Sequence, residues 1–394
     1  MKKSISIVGG GTGALFLAAF LDHDKYQITI YEKQKSLGRK FLVAGDGGFN
    51  LTHSEPLDNL KLRYTPSEFL ETCLIYFTNE DLVKWLASIG IPTFIGSSKR
   101  VFPEKGIKPI AVLKSIESHL IKKKLKFKFN KTFTGWNENG HLIFNSSEII
   151  KSDVNVFALG GGSWKVTGSD GMWLDTFTKH GIKTTPFKAS NCAFQIVWDK
   201  EFITVYDGQP LKNISISIGE TQQKGEVVIT KFGLEGNAIY ALSPMIQTQL
   251  SERQEASISV DFKPTLSSKV IIDKIKNSNL NVTQTLKRVL KLTAAQVYLI
   301  KNHLTKEDYL DSQILADLIK NYPLQITAPA PIDEAISTSG GILLSEVHSN
   351  YELVEMKNNY CIGEMLDWDA PTGGYLIQAC ASMGVYLAHN LNKK

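Results

Sequence analysis

The sequence predicts an α/β fold in which a β-rich stretch and a helical stretch interrupt a domain built on a parallel sheet. Residues 4–8 form an apolar, β-branched run typical of a buried strand, and a glycine turn and an apolar stretch over 12–21 follow it. Residues 27–31 alternate as a second strand does, and the acidic Glu32 ends them. Strand, helix and strand within about 30 residues predict a βαβ unit, whose two strands are parallel.

The elements after this unit continue the α/β pattern. Helical spacing of apolar residues predicts a helix over 66–90 and another over 110–124. An alternating stretch over 125–136, a short strand at 141–144 and a run at 154–159 follow. These predict a small antiparallel meander that returns to a parallel strand.

A chain of 394 residues is long for one core and suggests two or three domains. Alternating apolar residues predict a β-rich, β-barrel-like domain made of 191–263 and 323–335. Residues 264–322 are polar, lysine-rich and predicted to form a small helical domain. The first pattern then resumes, so residues 1–190 and 336–394 are expected to form one dinucleotide-binding domain.

Composition excludes several classes of protein. Hydrophobic residues at 43% and charged residues at 21% are typical of a soluble globular protein, and no apolar run reaches the roughly 18 residues that span a bilayer. The four cysteines lie far apart, which favours reduced thiols over disulfides or a zinc site, and no metal-ligand spacing is present. Glycines at 9–11 interrupt the apolar helix that a secretory signal needs, so a cytoplasmic location is expected.

Positive charge is concentrated in one stretch. Residues 99–131 contain eleven Lys or Arg and two Glu, a local charge of +9 in a chain whose net charge is +5. Two interpretations remain open. The stretch is either a solvated helix end and strand face, or a surface for an anionic partner such as nucleic acid.

The first glycine turn has the pattern of a dinucleotide site. Gly9 permits the tight turn, Gly11 allows a pyrophosphate to approach the backbone, and Ala14 keeps the helix close to the sheet. The phosphates would lie at the helix N-terminus, where N–H groups and the helix dipole favour anions. Glu32 lies 23 residues after Gly9, where its carboxylate can accept hydrogen bonds from ribose hydroxyls.

The C-terminal region favours FAD over NAD. Residues 360–362 predict a short strand that ends in Gly363 and Glu364, and a glycine-rich turn at 371–375 opens an apolar helix. This is the second half of an FAD site. The acid would reach the ribityl or pyrophosphate part, and the helix N-terminus would stabilise negative charge at the flavin N1–C2 carbonyl edge.

Seven stretches between residues 5 and 375 resemble one family over nearly the whole chain: IVGGGTGA, LGRKFLVAGDGGFNLTHSE, GSSKRVFP, ALGGGSWKVTGSDG, GEVVITKFGLEGNAIYALS, PIDEAISTSGG and GEMLDWDAPTGGY. On these stretches the chain resembles the BaiN-like family of bacterial NAD(P)/FAD-dependent oxidoreductases, and within it an uncharacterised branch. The resemblance implies a Rossmann-type FAD-binding domain with a β-barrel-like insert and a helical insert. It also implies reductases of conjugated double bonds, in a family that includes dihydrouridine formation in ribosomal RNA.

The chain departs from that family in two places. Where many members carry Gly-Gly-Gly-Arg-Cys-Asn, residues 45–50 read GDGGFN, so chemistry credited to the Arg and Cys cannot be transferred. The glycines and Asn50 still suit close passage of the backbone over a flat ring system. Leu376 replaces the Asn that commonly follows Gly-Gly-Tyr, which removes one polar contact near the flavin.

Candidate site residues lie in the two glycine turns and the loops between them. His53, at the end of a glycine-rich loop, is the predicted proton donor; Thr52 and Arg100 could also face substrate. The predicted cofactor-binding residues are Gly9, Gly11, Gly13, Ala14, Glu32, Lys33, Arg39, Lys40, Gly45, Gly47, Asn50, Leu51, Gly160, Gly161, Gly363, Glu364, Asp367, Thr372, Gly373, Gly374 and Tyr375.

Three functions are consistent with these patterns. The leading one is a reductase that passes hydride from NAD(P)H through FAD to a conjugated C=C bond. No second Gly-x-Gly-x-x-Gly pattern occurs, so NAD(P)H is expected to bind transiently at the flavin face. The alternatives are a flavin-dependent dihydrouridine synthase acting on ribosomal RNA and a non-catalytic flavin-binding redox sensor, which the missing Arg-Cys pair keeps open.

Overall fold

A computed structural model describes residues 2–43 and 49–394 of the chain. The chain forms two compact units. Unit 1 consists of Met1–Ala189 and Ile336–Lys394, and unit 2 consists of Ser190–Ala335. In the order of the sequence, unit 2 is therefore an insertion into unit 1.

The strands of the described residues are short, and most have between two and six residues. In chain order they are β1 (Lys3–Val8), β2 (Tyr26–Tyr31), β3 (Thr52–His53), β4 (Thr93–Ile95), β5 (Arg100–Pro103), β6 (Lys126–Lys128), β7 (Phe133–Trp136), β8 (Leu142–Phe144), β9 (Glu148–Ile150), β10 (Val154–Phe157), β11 (Thr184–Ser190), β12 (Phe194–Gln195), β13 (Pro210–Ile218), β14 (Thr221–Thr230), β15 (Gly233–Glu235), β16 (Ala256–Asp261), β17 (Tyr322–Ile326), β18 (Ala328–Pro329), β19 (Ser337–Ile342) and β20 (Asn359–Cys361).

The α-helices range from short turns to the long C-terminal helix. In chain order they are α1 (Thr12–Phe20), α2 (Arg39–Val43), α3 (Leu57–Lys61), α4 (Ser67–Tyr76), α5 (Asn79–Ser88), α6 (Pro109–Lys122), α7 (Trp173–Lys179), α8 (Lys200–Tyr206), α9 (Asn237–Tyr240), α10 (Ser243–Arg253), α11 (Ser268–Lys276), α12 (Val282–Gln284), α13 (Ala294–His303), α14 (Ser312–Lys320) and α15 (Tyr375–Asn392).

Unit 1 is built on a five-stranded parallel sheet with the strand order β20-β10-β1-β2-β6. Residues 5–8 of the central strand β1 are buried, as expected for a parallel strand that is covered on both faces. Helices α1 and α15 touch backbone to backbone: a Cβ on Gly384 would lie 2.6 Å from the Gly13 carbonyl oxygen. Glycine at 384 therefore permits this close crossing. The predicted α/β fold class with a Rossmann-type domain is confirmed.

Two predicted elements of unit 1 are wrong in detail. The helix predicted over 66–90 is two helices, because Thr78 caps α5 in a capping box: its hydroxyl accepts from the Asp81 N–H, and the Asp81 carboxylate accepts from the Thr78 N–H. The alternating stretch over 125–136 is also divided. β6 joins the parallel sheet, whereas β7 joins the antiparallel meander β7-β8-β9, and Asn130 between them has a φ of +57°.

Unit 2 contains a seven-stranded antiparallel sheet with the order β17-β16-β13-β14-β15-β12-β18. Its helices share one hydrophobic core with this sheet. Val260 of β16, Ile271 of α11 and Leu315 of α14, for example, are fully buried members of that core. The β-rich and helical segments expected from the sequence thus lie in one compact unit.

Candidate functional site

In the turn between β1 and α1, Gly9 is packed closely against the protein, whereas the space at Gly11 is open. Gly9 has a φ of +102°, and a Cβ there would lie 2.3 Å from the Ala158 carbonyl oxygen. A Cβ on Gly11, the N-cap residue, would meet no other described atom within 4 Å. Among the described residues, no side chain caps α1, so the N–H groups of its first turn, which includes the buried Gly13 and Ala14, are available to an anion. This cradle fits a pyrophosphate.

Glu32 joins this turn to the end of β2. One carboxylate oxygen accepts the Gly10 N–H at 2.7 Å, and the other accepts the Gln34 N–H at 2.8 Å. A carboxylate offers about four acceptor sites, so two remain for ribose hydroxyls. Lys33 follows and forms an ion pair with Asp170 at 2.8 Å.

Lys40 and Glu364 pair with each other. The Lys40 Nζ lies 3.0 Å from Glu364 Oε2 and donates to the Ser163 hydroxyl at 2.9 Å. Glu364, whose side chain is 7% exposed, also accepts the Thr338 N–H at 3.0 Å. The sequence predicted a separate cofactor contact for each of these two charged side chains, but their charges offset one another in this arrangement.

The loop after β10 lies directly against this ion pair. Gly160 has a φ of +73°, and a Cβ on Gly161 would lie 2.1 Å from the Thr338 hydroxyl oxygen. Glycine at 161 therefore permits the loop to approach β19. Arg39, from the neighbouring helix α2, donates to the Val166 carbonyl at 3.0 Å.

The second glycine turn begins α15 and rests on β3. Gly374 is the N-cap residue with a φ of +94°, and a Cβ there would lie 2.6 Å from the Thr52 Cα. No side chain of residues 2–43 or 49–394 caps this 18-residue helix, and its first turn contains no acidic residue. Upstream, Gly363 has a φ of +84°, and Asp367 accepts the Gly340 N–H at 2.9 Å. The turn is thus a second helix N-terminus open to an electron-rich group.

The remaining predicted contacts differ in their surroundings. Leu51 is 1% exposed and its side chain belongs to the hydrophobic core, although its neighbour Asn50 is only half-buried. Thr372 lies directly before the glycine turn. Gly45 and Gly47 fall outside the described residues.

Five side chains meet at the first residue of α15, and we call them the Glu55 cluster. The Tyr375 hydroxyl donates to the buried Glu55 carboxylate, which also accepts from Arg63 at 2.9 Å. The His53 ring stacks on Tyr375 with 5.3 Å between ring centroids, and its Nδ1 accepts the Glu55 N–H at 3.2 Å. The fifth member, Arg100 of β5, pairs with His53 of β3 in the antiparallel register.

The charges of this cluster follow from burial and pairing. Burial alone would raise the pKa of Glu55, but hydrogen bonds from Arg63 and Tyr375 outweigh it and the pKa is lowered. Burial lowers the pKa of His53, and the nearby Glu55 carboxylate opposes this only in part. At neutral pH, Glu55 is therefore charged and His53 is mainly neutral, with its proton on Nε2 because Nδ1 accepts a hydrogen bond.

Sequence reasoning missed Glu55 and Arg63. Glu55 is the last residue of the stretch LGRKFLVAGDGGFNLTHSE, which carries the family resemblance, whereas Arg63 lies outside those stretches. The stretch gives no sign of the partners of Glu55, because the hydrogen bond from Tyr375 to Glu55 spans 320 residues. A local signal was available in the position of Glu55 two residues after His53.

Residues 2–43 and 49–394 lack two features. Within these residues, no helix is both long and apolar enough to cross a membrane. Across the same part of the chain, no three His, Cys, Asp or Glu side chains come together as metal ligands do.

The protein is an FAD-dependent oxidoreductase. Its Rossmann sheet, with an open glycine turn at each of two helix N-termini, is the architecture of this class of enzyme. The chain belongs to the HI0933-like family, because the model of the HI0933-like protein Rossmann domain matches residues 3–390. Both the family and the cofactor agree with the expectation from the sequence motifs.

Two relatives match nearly the whole chain. The 3-dehydro-bile acid delta(4,6)-reductase of Clostridium scindens is 24% identical and covers 98% of this chain and 97% of the relative. The ribosomal RNA dihydrouridine synthase of Haemophilus influenzae is 22% identical, with 98% of each chain covered. Among solved structures, the 3-ketosteroid-delta4-(5alpha)-dehydrogenase of Rhodococcus jostii is similar in fold. It has a TM-score of 0.50 at 11% identity, over 100% of this chain and 97% of that one.

Proposed function

We propose that this protein is a reductase that takes hydride from NAD(P)H and delivers it, through FAD, to a conjugated C=C bond. The observation that carries the proposal is the pair of uncapped helix N-termini on one sheet. Helix α1 follows β1, α15 follows the parallel strand β20, and the two helices touch at Gly13 and Gly384. Parallel strands end at the same edge, so both helices offer N–H groups to one extended cofactor.

Residues near the two turns would bind different parts of the cofactor. The open space at Gly11 would hold the pyrophosphate, and Glu32 would accept from the ribose of the adenosine half. The turn at Gly373 and Gly374 would meet the flavin ring. When bound, FAD supplies reversible hydride transfer between a nicotinamide nucleotide and an acceptor. The acceptor class is supported by the name of the Clostridium scindens relative, a delta(4,6)-reductase.

His53 is the proposed proton donor to the acceptor. Its pKa is lowered below 6.5, first by burial, so the protonated form is abundant only in acid. If imidazolium is the acid, the rate of acceptor reduction falls as the pH rises through that lowered pKa. In His53→Gln, the rate of acceptor reduction should not change with pH over this range. An unchanged pH profile in the variant would remove His53 from this role.

Anaerobic titration tests the reductase proposal. NADPH or NADH should bleach the flavin absorbance of the purified protein, and an α,β-unsaturated ketone should then restore it with one equivalent of saturated product. Bleaching by neither nucleotide would favour the redox sensor. Bleaching without reoxidation by any conjugated acceptor would contradict the proposed substrate class.

A second candidate, dihydrouridine synthesis on ribosomal RNA, is favoured by a basic surface. Lys122 is the last residue of α6, Lys124 lies two residues after it, and Lys126 and Lys128 alternate along the edge strand β6. All four are exposed, and none has a carboxylate partner among the described ion pairs. Lysine clusters of this kind hold phosphates. By contrast, Lys123 donates to the Ala19 carbonyl, so it is packed against unit 1.

The four-lysine surface can be tested without disturbing the site. The combined variant Lys122→Gln, Lys124→Gln, Lys126→Gln and Lys128→Gln should bind RNA at least tenfold more weakly, with a shallower salt dependence and unchanged FAD content. Equal RNA binding by the wild type and this variant would remove the surface as an RNA interface. Ribosomal RNA that keeps its dihydrouridine in a deletion strain would contradict the activity itself.

A further inference from the structure

Arg100 approaches the turn that begins α15. The Nε of its guanidinium group lies 3.3 Å from the position that a Cβ on Gly373 would occupy. Gly373 also has a φ of +123°, which L side chains rarely adopt. Glycine at this position therefore allows a cation to lie directly against the second glycine turn.

Two positive features meet at this point. The N-terminus of a helix carries about half a unit of positive charge, and the guanidinium adds a full unit that persists at every physiological pH. Burial lowers the pKa of Arg100, so its guanidinium group is shielded in part from water. An electron-rich group that lies against both the helix N-terminus and the guanidinium is stabilised by them.

We infer that Arg100 lies at the N1–C2 carbonyl edge of bound FAD and stabilises the negative charge that this edge acquires on reduction. The inference rests on the proposed use of the Gly373–Gly374 turn for the flavin ring. Arg100 thereby raises the reduction potential of the cofactor and acts together with the dipole of α15. In a half-buried location the effect of one charge is larger than in water.

Sulfite is a probe of this charge that needs no acceptor substrate. Its lone pair adds to N5 of oxidised flavin, a nitrogen–sulfur bond forms, and the negative charge moves to the N1–C2 carbonyl edge without any further reagent. Arg100→Gln should weaken sulfite binding about tenfold. A tenfold change in the equilibrium of a two-electron couple corresponds to about 30 mV, so the reduction potential should fall by that amount.

The matched variants separate charge from packing. Arg100→Lys keeps the charge and should remain within about threefold of the wild-type sulfite affinity. Lys99→Gln removes the same charge from an exposed neighbouring side chain and should change nothing measurable. Because sulfite binding is read on the loaded fraction, excess FAD can be supplied to any variant that loses cofactor.

The outcomes distinguish this inference from the proposed reaction. Equal sulfite affinity and potential in wild type and Arg100→Gln would overturn the role of Arg100, even if conjugated acceptors are reduced normally. A tenfold loss in a protein that reduces no conjugated acceptor would support Arg100 and contradict the reaction. Similar losses in Arg100→Gln and Arg100→Lys would assign the effect to packing and would also overturn the inference.

Discussion

The two glycine turns of unit 1 are built in different ways. At the first turn, the polar groups come from the backbone of α1 and from Glu32, all within the first 34 residues. At the second, the turn at Gly374 rests on β3, and the side chains of the Glu55 cluster come from three distant segments of the chain: residues 53–63, Arg100 and Tyr375. In the part of the chain that the structure describes, the first turn offers N–H groups and one carboxylate, whereas the second offers titratable and charged side chains.

This difference indicates that the first turn serves to bind the cofactor and that the second affects the reactivity of the flavin ring. A site made of backbone groups and one carboxylate can hold a constant part of a cofactor, such as a pyrophosphate and a ribose. A cluster with a neutral histidine, a charged carboxylate and two guanidinium groups can change the properties of a reactive ring. Substitutions at the first turn should therefore change the affinity for FAD, and substitutions at the second should change reactivity or stability.

The largest effect is expected for Gly11→Val. A branched side chain would fill the open space before α1, where the pyrophosphate is proposed to lie, so the FAD affinity should fall at least a hundredfold. The backbone of Gly11 has a φ of −81°, which valine tolerates, and the apo protein should unfold at nearly the wild-type temperature. Ala111→Val, at an exposed position in the first turn of α6, is the control and should retain FAD. Stoichiometric FAD in Gly11→Val would show that the phosphates lie elsewhere.

A smaller effect is expected for Glu32→Gln. The amide keeps one acceptor oxygen but presents an N–H₂ group where the carboxylate now accepts a backbone N–H. The FAD affinity should fall about tenfold, the equivalent of about 1.4 kcal/mol. Fluorescence titration against Glu138→Gln, an exposed glutamate of the same unit, would measure this. Equal affinity in both variants would contradict the role of Glu32 at the ribose.

At the second turn, Glu55→Gln should reduce stability more than FAD content. The variant loses charge-assisted hydrogen bonds to Arg63 and Tyr375, which should lower the free energy of unfolding by about 1–3 kcal/mol at pH 7. The pKa of Glu55 is lowered in the folded state, so its stabilisation is present above its ordinary pKa of 4.5 and lost as the pH falls below it. The difference from wild type should therefore disappear in acid.

Urea unfolding at pH 7 and below pH 4 measures this dependence. Glu71→Gln, which breaks the exposed pair with Lys61, is the control and should change the free energy of unfolding by less than about 1 kcal/mol. A pH-independent difference between wild type and Glu55→Gln would mean that packing, not ionisation, carries the contribution of Glu55.

The same contrast explains what the sequence could predict. The first turn follows from local patterns, because strand, glycines, helix and Glu32 lie within one βαβ unit, and the C-terminal turn is as local. Pairings between distant charges do not follow from such patterns. The Lys40–Glu364 ion pair joins residues 324 apart, so each side chain was assigned to the cofactor alone. Helical spacing likewise did not reveal that Thr78 begins a new helix, because a capping box depends on particular side chains and not on periodicity.

The central claim is that the two turns hold the two ends of one FAD molecule. Acid precipitation of the purified protein, followed by chromatography of the supernatant, tests it most directly. We expect free FAD at one equivalent per chain, since an adenosine half is required for Glu32 and the first turn to have a ligand. FMN in the supernatant, or flavin that stays in the pellet, would contradict the account.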